Sequence, residues 1–175
     1  MKCARSAFGL GLVLSISALG FGNGNETPWK EYAFPTDGFA ITLPHVPEPH
    51  PAVVFPDATA YTVELPGRED CKMVLRVTRR PRDYSIFVRA LRDGILQGKD
   101  PDTDAASLKD LSTDGHPGFE YLRKVNARYT SLDRYYCVNG RLYAFSAGWL
   151  SAFPFPEAAK RILDSFRFLG SDEHP

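Results

Sequence analysis

YTSLDRYYCVNGRLYAFSAGW, residues 129–149, carries Asn139-Gly140 between two runs of aromatic and aliphatic residues. A two-residue type I′ turn requires positive φ at both central positions, and Asn-Gly meets that demand while matching the twist of the strands it joins. The stretch therefore predicts a β-hairpin with Val138 opposite Arg141, Cys137 opposite Leu142, Tyr136 opposite Tyr143 and Arg134 opposite Phe145. One face carries Leu132, Tyr136, Tyr143, Phe145 and Trp149; the other carries Tyr129, Tyr135, Cys137, Leu142 and Ala144. Neither face is plainly polar. Strands apolar on both sides are usually covered on both sides, so the hairpin is expected in the middle of a sheet.

The chain has 175 residues, 43% hydrophobic and 24% charged, enough to bury a core without metal or disulfide staples and too apolar for a disordered chain. Its 21 basic and 21 acidic residues balance, leaving no global field for nucleic acid. Lys2 and Arg5 precede an apolar run from Ala7 to Gly22 interrupted by Ser15 and Ser17, the pattern of a secretory signal with cleavage between Gly20 and Gly22. The expected organisation is a signal peptide over 1–22, a polar leader over 23–28, one domain over 29–170 and a tail over 171–175, in a secreted or periplasmic protein with no membrane attachment after cleavage. That compartment permits disulfides. Cys71 and Cys137 both fall in predicted strands, either as buried free thiols or as a bridge between them.

Outward from the hairpin, Trp29 to Phe34 and Phe39 to Leu43 read as strands around Pro35-Thr36-Asp37-Gly38. Pro44 to Pro56, rich in proline, reads as an extended surface connection. Ala58 to Leu65 and Cys71 to Arg79 form a second hairpin. Asp83 suits an N-cap, and Tyr84, Phe87, Val88, Leu91 and Ile95 recur at helical spacing up to a stop at Gly98. Ser107 to Thr113 and Gly118 to Val125 precede the central hairpin, and a helix beginning near Pro156 and ending at Gly170 carries Ala159, Ile162, Leu163 and Phe166 on its apolar side.

Little in the chain carries chemistry. Arg79, Arg80 and Arg82 cluster at a strand end, where they could hold a phosphate or carboxylate or simply be solvated. Asp100, Asp102 and Asp104 start like a calcium loop but have Ala105 where Gly belongs and Leu111 where Glu belongs, so an acidic turn is expected. His45 and His50 lack further ligands for a metal. No G-x-S-x-G, phosphate-binding glycine loop, H-E-x-x-H or C-x-x-C occurs. No catalytic residue, metal or cofactor is predicted. The alternatives to a binding module are a small hydrolase or thiol enzyme using His116, with Asp114, or a cysteine, and a structural envelope component.

Gly115-His116-Pro117-Gly118-Phe119-Glu120, Asn139-Gly140-Arg141-Leu142-Tyr143 and Ile162-Leu163-Asp164-Ser165-Phe166, in an order of four strands, a helix, four strands and a helix, resemble the secreted bacterial PsbP-like proteins. Members often show Gly-x-Pro-Gly-Arg/Lys-Glu at the first motif, where this chain has Phe119. The resemblance implies an α+β fold, an α/β/α sandwich whose central antiparallel sheet has helices on both faces. It also implies a non-enzymatic accessory or assembly role and transfers no catalytic residue. The expected function is thus a non-catalytic extracytoplasmic module that binds a protein or small ligand at the loop end carrying Arg79, Arg80, Arg82 and His116.

Overall fold

The computed structural model describes residues 28–51, 57–78 and 83–170. The predicted signal, most of the leader, the arginine cluster at 79–82 and the tail lie outside the described residues. The elements are β1 (Lys30–Phe34), a 3-10 turn (Pro35–Asp37), β2 (Phe39–Leu43), β3 (Glu48–Pro51), β4 (Ala58–Glu64), β5 (Lys72–Thr78) and α1 (Ser85–Leu96). They continue as β6 (Thr103–Thr113), β7 (His116–Lys124), β8 (Tyr129–Val138), β9 (Arg141–Leu150), α2 (Glu157–Ser165) and β10 (Arg167–Phe168). The fold is dominated by antiparallel sheet: seven strands in the order β3-β4-β5-β9-β8-β7-β6, and a separate three-stranded sheet, β1-β2-β10.

The β8–β9 hairpin has the expected register, from Val138 opposite Arg141 to Tyr136 opposite Tyr143, around Asn139 at φ 50° and Gly140 at φ 75°. It occupies interior positions of the main sheet. Alternation then sends its side chains into two apolar clusters. Tyr136, Tyr143, Phe145 and Trp149 join Phe39, Leu43, Leu75 and Val77, together with Ala159, Ile162 and Leu163 of α2. Tyr135 stacks on Phe119 and lies nearly parallel to Tyr121, against Ile95, Val88 and Leu91 of α1. Burying each large side chain contributes about 1.5–3 kcal/mol, so these clusters are the main source of stability.

Several local expectations are corrected. The first hairpin does not extend the main sheet; Phe39, Ile41 and Leu43 pack onto the β5–β9 surface while the strand itself pairs with β1 and β10. The C-terminal helix stops at Ser165, with Phe166 already extended at ψ 131°, because Arg167 and Phe168 pair with Ala40 and Phe39. Ser165 Oγ seals that junction by accepting from Thr42 N at 2.9 Å and donating to Ile162 O at 2.8 Å. Part of the proline-rich connection is the edge strand β3, where Pro49 lies opposite Tyr61 and Pro51 opposite Thr59. An edge position tolerates proline because one side of the strand has no ladder to fill. β6 starts at Thr103 rather than Ser107 and shifts register between Asp104 and Lys109.

The acidic run is used in making turns. Asp100 accepts from Asp102 N and Thr103 Oγ1, and Asp104 accepts from Ala106 N, each at 3.0 Å. α1 begins one residue beyond Tyr84, with Asp83 accepting from Ser85 N at 3.0 Å. It ends as predicted: Lys99 N donates to Gly94 O and Gly98 N to Ile95 O, with Gly98 at φ 61°, a Schellman closure. Phe87, however, lies on the outer side with Ile86, 42% and 70% exposed, because α1 meets the sheet mainly over β6 and β8.

Two charged clusters are built into the main sheet. Arg134 Nε and Nη2 donate to Glu120 Oε2 at 3.0 and 2.8 Å on the neighbouring strand, and Nη1 donates to Leu163 O of α2 at 2.9 Å. On the alternate side of β8, buried Asp133 accepts from Arg123 Nε at 2.9 Å and Ser146 Oγ at 2.7 Å. Burial without partners would cost each of these groups far more than their pairing returns.

Candidate functional site

Antiparallel pairing brings the Asn139-Gly140 turn, the β6–β7 turn and the end of β5 at Thr78 to one end of the main sheet. The β6–β7 turn is a second pair of positive-φ residues, Asp114 at 50° and Gly115 at 79°, so both reversals are tight and regular. The 3-10 turn of the small sheet sits over the same end. Gly38 closes it at φ 74°, donating to Phe34 O and Pro35 O, and a Cβ there would come within 3.2 Å of Tyr143 Oη.

Hydrogen bonds lock the two sheets together here. Tyr143 Oη donates to Asp37 O at 2.8 Å and Phe168 N to Asp114 Oδ2 at 2.8 Å, while Leu169 N donates to Gly38 O at 3.0 Å within the small sheet. Buried Asp37 takes the Tyr61 hydroxyl on its carboxylate. Arg141 Nη1 donates to Thr36 O at 2.6 Å, and its guanidinium charge acts on the neighbouring Tyr143 phenol. Burial pushes the Tyr143 phenol above its ordinary range, with Arg141 acting in the opposite direction.

These contacts surround a pocket of about 310 Å³, lined by His116, Asn139, Arg141, Tyr143, Phe168 and residues of the 3-10 turn. Of the predicted site residues that are described, His116 is found here; it stands edge-to-face on Phe168 with ring centroids 5.0 Å apart. Arg79, Arg80 and Arg82 lie outside the described residues, although Thr78, the last described residue before them, is at this end of the sheet, accepting from Leu142 N at 3.0 Å. Arg141 was not anticipated. Its signal in the sequence is a basic residue directly after an Asn-Gly turn, a position that projects from the end of a sheet.

The other candidates do not assemble. Asp114 spends its carboxylate on Phe168 N rather than on His116. The proposed Cys71–Cys137 bridge is absent, and both thiols are free. Cys71 precedes Lys72, which pairs with Gly148, whereas Cys137 pairs with Leu142; six residues of strand, about 20 Å, separate those positions. Cys71 lies in the cluster with Tyr136, and Cys137 on the alternate side of β8, facing a second, more apolar concavity of about 510 Å³ with Val88, Leu111, Pro117 and Phe119. Among the described residues no three His, Cys, Asp or Glu gather as metal ligands, and no helix is long and apolar enough to cross a membrane.

The thiols give a direct check. Intact masses measured with and without reductant should agree, since no bridge forms. Burial raises Cys71 to about 11, with Arg68 opposing the shift, so at pH 8 iodoacetamide should modify half-buried Cys137 first and reach Cys71 only on unfolding. A two-dalton deficit without reductant would contradict the structure.

The fold is an α+β arrangement dominated by antiparallel sheet, and more narrowly it is PsbP-like. The solution structure of cyanobacterial PsbP (CyanoP) from Synechocystis sp. PCC 6803 is similar with a TM-score of 0.51 at 12% identity, over 94% of this chain and 98% of that one. A crystal structure from Bacteroides thetaiotaomicron VPI-5482 gives 0.47 at 9% identity, over 83% of this chain and half the length of the other. No family model and no curated protein matches the sequence.

Proposed function

We propose that the chain is a non-catalytic extracytoplasmic binding module whose ligand site is the pocket between the Asn139-Gly140 turn and the Pro35–Asp37 turn. The observation that carries this reading is the pre-organisation of that pocket: Arg141 and Tyr143, two of its polar side chains, are each held on a backbone oxygen of the small sheet's turn. Fixing donors before a ligand arrives lowers the ordering cost of binding. The accessory role implied by the PsbP-like resemblance agrees with this, as does a leader at 1–22 with the pattern of an export signal. The α/β/α sandwich belongs to the same proposal. Its support is that successive residues Tyr135 and Tyr136 enter different clusters, one including α1 and the other α2.

The experiment is a titration of the ¹⁵N-labelled protein with a panel of small polar compounds. Binding at this site shifts the amides of Gly38, His116, Asn139, Gly140 and Arg141 as one group. If every compound leaves that group unmoved, or the shifts gather instead around Val88 and Phe119, the assignment of the site is wrong.

A further inference from the structure

The charge of the pocket identifies the class of ligand. Among the described residues, Arg141 has no carboxylate within ion-pair distance, and no Asp or Glu lines the pocket. The acids of the two adjoining turns are engaged elsewhere, Asp37 with the Tyr61 hydroxyl and Asp114 with Phe168 N. The groups beside the half-buried guanidinium, Thr36 O that accepts from it and the neighbouring Tyr143 phenol, are neutral. They orient the fork without cancelling its charge, and its further N–H groups remain for a ligand. His116 adds a second group able to carry positive charge, and Asn139 an amide able to donate. At about 310 Å³ the space falls at the low end of the roughly 300–1,000 Å³ typical of small-molecule sites.

Resting on the proposed binding role of this pocket, we infer that its ligand is a small anion, a carboxylate or phosphate whose oxygens meet Arg141, with His116 and Asn139 as the other polar contacts. Arginine's planar fork suits two oxygens of one acid group.

The test compares succinate, benzoate and inorganic phosphate with the neutral amides succinamide and benzamide, using the same amide shifts on the full chain. The acids or phosphate should bind at least tenfold more tightly than the amides, and weaken as salt rises. Carboxylates and phosphate are separated by which of them gives the tighter titration. Arg141→Ala should lose at least tenfold in affinity for the acid, and Arg141→Lys should lose less because it keeps the charge without the fork. Should Arg141→Ala fail to fold, the acid–amide comparison and Arg141→Lys still decide. Equal affinity for acid and amide at this pocket would overturn the anion assignment and leave the binding role standing. No shift with any of these acids or phosphate would overturn it as well.

Discussion

Gly118→Ala should unfold at a much lower denaturant concentration than the parent, with a loss of about 3 kcal/mol, the upper part of the usual range for overpacking. A Cβ at Gly118 would sit 2.4 Å from Tyr136 Cδ1, 2.5 Å from Cε1 and 2.6 Å from Tyr135 O. The backbone oxygen cannot rotate aside, being part of β8. The ring cannot move either, because Tyr136 is packed against Phe145, Phe166 and Phe168 and hydrogen-bonded to Thr113. Gly118 is thus required by close approach of a ring across the ladder, at a φ that any residue adopts. Gly94→Ala is the contrasting case: it has open space within the α1 helix, so removing the glycine should stabilise by about 0.5–1 kcal/mol. Urea midpoints for the two variants check both signs. A Gly118→Ala protein as stable as the parent would mean that the Tyr136 ring does not occupy this position.

Arg134→Met should cost about 3 kcal/mol, as expected when one member of a buried ion pair is removed. Arg134 and Glu120 are 11% and 14% exposed, and after the substitution the nearest cation to Glu120 is Lys109 at 3.8 Å. Leu163 O, near the end of α2, loses its donor at the same time. The double variant Glu120→Met with Arg134→Met should recover most of the loss, since it removes the stranded carboxylate and fills the space with apolar volume. Chemical unfolding of the three proteins decides this. A double variant no better than Arg134→Met would shift the cause from the stranded Glu120 to the lost bond at Leu163.

What was legible in the sequence was local. The Asn139-Gly140 turn chemistry determines its hairpin's register without reference to the rest of the chain, and the two-sided apolar pattern of Tyr135 and Tyr136 correctly placed β8 and β9 inside a sheet. Gly98 marked the end of α1 for an equally local reason, its left-handed φ. What was not legible depends on distant partners. β10 is two residues long and has no strand signal of its own; Phe166 continues the helical period of Ala159, Ile162 and Leu163, yet the chain from there is extended because β2 offers its edge to Arg167 and Phe168. The prolines of β3 argued against a strand, and only its edge position admits them. Phe87 fits the helical stripe of α1, but the helix's seat over β6 and β8 leaves that side in solvent.

The site divides in the same way. His116 was picked out with Arg79, Arg80 and Arg82 as a charged loop end, and it lines the pocket. Arg141 acquires its significance from Thr36 and Tyr143, and the contact with Thr36 spans 105 residues of sequence. The cysteine pair looked plausible because both residues adjoin strands of one sheet. Strand pairing places them at different ends of β9, and alternation on different sides.

The edge strand β3 limits how another strand can join the main sheet. Pro49 and Pro51 contribute no amide hydrogens to that margin, so a stranger's strand cannot dock there by continuous backbone pairing. At the opposite margin β6 changes register between Asp104 and Lys109, which interrupts the straight run of donors and acceptors that templated growth needs. Regular, unbroken edges on a sheet of seven strands would otherwise offer a template for strand addition. Both described borders are instead poor templates for an added strand.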